Sequence, residues 1–235
     1  MFTCQAIKNG GSYLSEHLAA NDYYAEGEHV IGQWVGVGAK LLGIEGREIE
    51  SKDSIFEALR TNTNPQTGQP LTARTSESRI AFYDFQCSAP KSVSIAAVTF
   101  GDTRLVEAHK AAVLVALGEL EKFAGRQSNW GGEGRQVVTT GNIIAGAFTH
   151  DASRELEAQL HTHLVCANST FDPKENQWFA LSNVQMFGAI GFAGRVYQAE
   201  LADRCRALGY EVREERENGV VKGFELEGVT AEDCA

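Results

Sequence analysis

Two histidines one residue apart in an apolar run, His161 and His163 within Gln159-Leu160-His161-Thr162-His163-Leu164-Val165, constrain this chain more than any other feature. Alternate residues of a β-strand share a face, so both imidazoles project from one side of a sheet. His150 lies eleven residues before His161, at the end of one predicted strand, while the pair opens the next. A hairpin-like return brings the three together. Three neutral imidazoles with coordination positions left open describe a catalytic metal site better than a structural one, which usually fills four places, often with cysteine. Imidazole suits zinc, manganese, nickel, copper or iron, whereas magnesium favours oxygen ligands and retained water, so the residues alone leave the metal open. The competing reading is a half-buried polar pair satisfied at a strand surface.

The chain of 235 residues is 43% hydrophobic, enough for one large α+β domain or two small ones with a substantial core. No apolar run approaches the roughly 20 residues that span a bilayer, and the N-terminus lacks the charged-then-apolar layout of a secretory signal. The expectation is a cytoplasmic protein with no membrane insertion. Five cysteines at wide spacing, without CxxC, read as isolated reduced thiols, with Cys87 and Cys166 in strand-like runs of the core. A net charge of −10 argues against indiscriminate polyanion binding. The acid is concentrated towards the two ends, however, and residues 61–110 carry one more base than acid, which leaves room for a local positive groove.

Glycine breaks and tyrosines alternate near the start, with a short helix predicted over 12–20. Asp53 or Ser54 caps another to residue 60, and 62–76 is a polar loop. An aromatic strand over 80–87 is broken by Ser88-Ala89-Pro90, and Lys91 begins a short helix or turn. Asp102 caps the strongest amphipathic helix, which Gly125 is expected to stop. Two strands over 136–148 and 160–171 carry the histidines. A long helix over 183–208 and a terminal hairpin turned at Asn218-Gly219 complete a pattern that predicts an α+β fold, a central mainly antiparallel β-sheet flanked by helices. No phosphate-loop or dinucleotide-binding glycine motif is complete, which disfavours nucleotide hydrolysis.

Tyr13, Tyr23 and Tyr24 crowd the N-terminal region, with three tyrosines in all the rest. A tyrosine nucleophile must lose a proton whose unperturbed pKa is about 10, and a nearby cation favours that loss. A metal can also bind a non-bridging phosphate oxygen and align a phosphodiester for in-line attack. Tyrosine plus a three-histidine metal therefore suggests transesterification.

These residues resemble the relaxase domain of MobF-type conjugative relaxases, the TrwC and TraI family. The matching stretches run nearly end to end: Ser12-Tyr13 and Asp22-Tyr23-Tyr24; Gly32-Gln33-Trp34; Asn64-Pro65; Tyr83-Asp84-Phe85 with Ser88-Ala89-Pro90-Lys91-Ser92-Val93-Ser94; His150-Asp151 with Ser153-Arg154; and Gln159-Leu160-His161-Thr162-His163. The resemblance implies a relaxase (HUH endonuclease) palm-like architecture and an enzyme that nicks one strand of single-stranded origin-of-transfer DNA, keeps the 5′ phosphate on tyrosine, and rejoins the strand. It implies His150, His161 and His163 as ligands of a divalent metal, magnesium or manganese, with zinc or nickel compatible with three-histidine ligation. It further implies Tyr13 as primary nucleophile, Tyr23 and Tyr24 as the second tyrosine pair, and Asp84 as the acid that orients a metal histidine and assists removal of the tyrosine proton. Lys91 and Arg154 are candidate phosphate contacts.

Leu14 stands where the best-known members carry a second adjacent tyrosine. The chain also ends without an ATP-binding motif, so residues 1–235 are expected to be a single relaxase domain truncated at the C-terminus, without the helicase domain and relaxosome partners of a full-length protein. Two alternatives remain at this stage. One is a metal-dependent hydrolase using a three-histidine site, and the other a catalytically silent single-stranded DNA-binding module.

Overall fold

The computed structural model describes residues 2–8, 31–50, 52–73, 78–128, 136–153 and 157–229. In chain order the strands are β1 (Phe2–Lys8), β2 (Gly32–Val35), β3 (Glu48–Ile49), β4 (Ile80–Ser88), β5 (Gly125–Ser128), β6 (Gln136–Thr139), β7 (Ala145–Ala152), β8 (Ala158–Ala167), β9 (Thr170–Asp172), β10 (Gln177–Phe179), β11 (Leu181–Ser182), β12 (Val212–Glu217) and β13 (Val220–Leu226). The helices are α1 (Val37–Leu41), α2 (Ser54–Arg60), α3 (Lys91–Ser94), α4 (Thr103–Glu121) and α5 (Val184–Ala207), and α3 continues into a wider π turn over Ile95–Thr99. The predicted helix over 12–20 lies outside the described residues.

Six strands form one sheet in the order β1-β4-β8-β7-β2-β3, and every neighbouring pair is antiparallel. The central strands are buried on both faces, so their sequences read as nearly continuous apolar runs. On one face Tyr83, Phe85, Leu164 and Cys166 pack against α4 and α5 through Leu105, Ala112, Leu117 and Tyr197. On the other, Phe82 and Val165 join Trp34, Phe56 and Phe148 in a second core, where the Phe56 and Phe82 rings stack with centroids 4.5 Å apart. Each fully buried side chain of this size contributes about 1.5–3 kcal/mol. The α+β reading and the helix-covered antiparallel sheet agree with this architecture.

Local signals explain where two helices and the terminal hairpin begin. The Asp53 carboxylate accepts from the Phe56 amide at 2.7 Å to start α2, and Asp102 accepts from the Arg104 amide at 3.1 Å to start α4. Asn218 and Gly219 take positive φ of 51° and 79°, the geometry a two-residue hairpin needs between β12 and β13.

Three expectations fail, one of them the strand over 160–171, which is β8 in the main sheet and then β9 paired with β10 in a separate one. Helix α4 ends at Glu121 without waiting for Gly125, which instead opens β5, where an added Cβ would stand 2.7 Å from the Val138 carbonyl oxygen. The glycine is there for close strand pairing. The strand expected over 136–148 is two strands in different sheets, with β6 paired to β5 and β7 in the main sheet. The chain changes sheets through Gly141, at φ 67°, and Asn142, whose amide is tied to the Thr140 and Phe171 carbonyls. Among the described residues no helix is long and apolar enough to cross a membrane, and Cys87 and Cys166 are buried free thiols.

Candidate metal centre

The register of β7 against β8 pairs His150 directly with His161, and a bulge immediately beyond, between His150 and Ala152, ends the regular ladder. His163 sits two residues further along β8, diagonal to His150 on the same face. The three rings form a triangle with centroids 5.2 Å apart for His150 and His161, 5.6 Å for His150 and His163, and 5.2 Å for His161 and His163. A metal about 2.1 Å from three imidazole nitrogens in tetrahedral directions sets ring centres roughly 5 Å apart, which is the spacing of this triangle, although among the described residues no three such donors already stand as a closed metal cage.

The hydrogen bonds behind the rings decide which nitrogen faces inward. His161 Nδ1 lies 2.8 Å from the Gln159 carbonyl oxygen. A carbonyl only accepts, so Nδ1 carries the proton and Nε2 keeps its lone pair. Strand β4 aligns Gln86 with His163 and Asp84 with Val165, which sets Asp84 diagonal to His163. The Asp84 carboxylate oxygens lie 3.0 and 2.9 Å from His163 Nδ1, with the same consequence for that ring. His150 Nε2 is buried with no hydrogen-bond partner. A buried polar nitrogen left bare is costly unless something binds it, and this orphan belongs to the triangle.

Burial also keeps His150 and His161 in the ligand form. Desolvation pushes His150 down to about 3, helped by the neighbouring His161 and His163 and opposed by Asp84. It lowers His161 as well, against the contrary pull of the Gln159 carbonyl. Both are neutral at pH 7, with no proton to displace before binding a cation.

The structure thus brings together four of the predicted site residues: Asp84, His150, His161 and His163. Tyr13, Tyr23, Tyr24 and Arg154 lie outside the described residues. Lys91 has its ammonium 3.2 Å from Glu157 and 3.2 Å from the Ala158 carbonyl, so as described it clasps the start of β8 and would have to exchange Glu157 for any phosphate. Sequence reasoning missed His109, a fully buried residue of α4 that hydrogen-bonds Thr162 between the two β8 histidines. Its signal was available. Leu105, His109, Ala112 and Ala116 share the buried stripe of α4, and a polar ring on such a stripe needs a partner.

The main sheet thus carries its two long helices, α4 and α5, on one face, and the histidine triangle on the other beside the smaller core of α1 and α2. The TrwC relaxase family model matches residues 7–235, and the chain belongs to that family. It is 35% identical over 245 aligned positions to the multifunctional conjugation protein TraI of Escherichia coli, covering 99% of this chain and 13% of that protein. A second TraI, from Escherichia coli strain K12, is 33% identical over 99% of the chain. The chain therefore spans a small part of the curated relatives it matches. Among solved structures, conjugative relaxase TrwC in complex with oriT DNA in a metal-bound form superposes with a TM-score of 0.83 at 32% identity, covering 99% of this chain and 77% of that one. A copper-bound TrwC complex gives 0.82 at 33%, with 99% and 78% covered. TrwC with a 27-mer DNA comprising the recognition hairpin and cleavage site gives 0.80 at 33%, with 100% and 77% covered.

Proposed function

We propose that this chain nicks and rejoins one strand of origin-of-transfer DNA by transesterification, as part of conjugative transfer. The observation that carries the reading is the histidine triangle, with His161 and His163 each held through Nδ1 and the orphaned Nε2 of His150 buried beside them. In this reading Nε2 of His150, His161 and His163 holds a divalent ion. Three imidazoles favour manganese, nickel, zinc or copper over magnesium, and a copper-bound relative is consistent with that preference. When bound, the ion supplies positive charge for a non-bridging phosphate oxygen and for the charge that grows in the transition state.

The chain's own groups do the rest. Tyr13 is the nucleophile: its phenol gives up a proton to a nearby base, its oxygen bonds to phosphorus, and the bond to the 3′ oxygen breaks, releasing a 3′ hydroxyl. The 5′ phosphate stays on tyrosine, so the energy of the phosphodiester is kept and the reverse attack by a 3′ hydroxyl rejoins the strand. Tyr23 and Tyr24 serve a later strand transfer. Asp84, buried and bonded to His163, holds that ring in its ligand tautomer and orientation and is the acid the family resemblance assigns to the phenol proton. Arg154 contacts phosphate, and Lys91 does so if it leaves Glu157.

Incubation with labelled single-stranded origin DNA and manganese tests this. A covalent protein–DNA adduct that survives denaturation is expected. Cleavage without an adduct would instead establish metal-activated hydrolysis, and a mobility shift alone would establish a silent binding module.

A further inference from the structure

On the face of β8 opposite His161 and His163, a buried chain of polar groups runs through the protein. The Tyr197 hydroxyl of α5 lies 2.7 Å from His109 Nδ1, His109 Nε2 lies 2.8 Å from the Thr162 hydroxyl, and Thr162 lies 2.9 Å from the Thr149 hydroxyl of β7. Tyr197, His109 and Thr162 are almost wholly excluded from solvent. Burying two ring nitrogens and two hydroxyls costs more than packing apolar side chains of the same shape, and a satisfied polar network in a core holds one arrangement where an apolar core tolerates several.

The position of this chain is what gives it a role. Thr149 and Thr162 are direct cross-strand partners. Thr149 immediately precedes His150, and Thr162 stands between His161 and His163. All three imidazoles are therefore one residue away from a member of the network, on the reverse side of the same two strands. Any twist of β8 about Thr162, or slip of β7 past β8, moves His161, His163 and His150 relative to one another. The hydroxyl pair resists the slip, and His109, clamped by Tyr197 on the second helix, resists the twist.

We propose that the Tyr197–His109–Thr162–Thr149 chain is a positioning device for the histidine centre, setting the separation of its ligands from the helical face of the sheet. His109 and Thr162 are positioning residues and touch neither metal nor DNA. The proposal rests on the reading that the three histidines hold a metal.

Calorimetric titration with Mn2+ alone, on the parent and on Thr162→Val, tests it. Valine keeps the branched shape and removes the hydroxyl, and one buried hydrogen bond is worth about three- to tenfold in an equilibrium. Affinity for Mn2+ should fall by about that factor in Thr162→Val and be retained in Thr162→Ser. Leu117→Val, which trims the same helical core away from the network, should leave it unchanged. Should Thr162→Val not fold, Tyr197→Phe, which unclamps His109 alone, is read in the same way. Affinity within twofold of the parent after hydroxyl removal, or an equal loss in Leu117→Val, overturns the positioning role. A parent that binds no Mn2+ overturns the metal reading itself.

Discussion

Replacing Asp84 by asparagine isolates the carboxylate without changing side-chain volume. In the parent both carboxylate oxygens lie within 3.0 Å of His163 Nδ1, and Asp84 is 3% exposed, so this is a charge-assisted bond in a poorly hydrated place. Such bonds contribute about 1.5–3 kcal/mol, and a neutral amide oxygen in the same position returns about 1 kcal/mol. The difference of about 0.5–2 kcal/mol corresponds to about a two- to thirtyfold loss of metal affinity, reaching the lower part of what outlying partners of metal-bound histidines usually cost. Mn2+ titration calorimetry on Asp84→Asn reads the affinity. The metal concentration that gives half-maximal adduct formation should rise by the same factor. Alanine, which restores no acceptor, should cost more than asparagine. An Asp84→Asn protein whose Mn2+ affinity stays within twofold of the parent would refute the assignment of Asp84 as the support of His163.

Further outcomes follow from the same geometry. His150→Leu removes a buried nitrogen without a partner, so the metal-free protein should gain about 1–2 kcal/mol of stability while losing the Mn2+-induced rise in Tm; a metal-free variant less stable than the parent contradicts the orphan's cost. Tyr13→Phe should abolish adduct formation and leave single-strand binding intact, and undiminished adduct on a denaturing gel would move the nucleophile to Tyr23 or Tyr24. The metal-free protein should lose stability on acidification. His150 and His109 are each held near 3 by burial, against about 6.5 in the unfolded chain, so between those values the unfolded state binds more protons. Stability is therefore fully present above about pH 6.5 and falls below it by about 1.4 kcal/mol per pH unit for each histidine. Denaturant melts from pH 7 to pH 4 measure the slope, which should shrink in His109→Gln; no slope at all would contradict the burial argument.

Much of the site was legible because strand geometry is strict. Histidines two apart in an apolar run share a face whatever else the chain does, and His150 needed only an antiparallel return to meet them. Asp84 was singled out only by the family resemblance of Tyr83-Asp84-Phe85, and its pairing with His163 depends on the β4–β8 register, which no local pattern encodes. Helices α2 and α4 announced themselves through Asp53 and Asp102. What local reasoning could not supply was non-local. Gly125 looked like a helix stop because a glycine's need for strand contact is invisible until Val138 lies against it. The run over 136–148 looked like one strand because nothing in its apolar content says that the chain changes sheets at Asn142. His109 escaped because helical periodicity records which face is buried and not which polar group waits on the sheet beneath it.

X-ray absorption at the manganese edge of the Mn2+-loaded protein counts the groups bound to the ion and so addresses the histidine centre without relying on turnover. Three imidazole rings, identified by scattering from their outer atoms, with nitrogens about 2.1 Å from the ion, and two rings in His161→Ala, are the predicted spectra. An all-oxygen shell, or a spectrum unchanged in His161→Ala, would contradict the account.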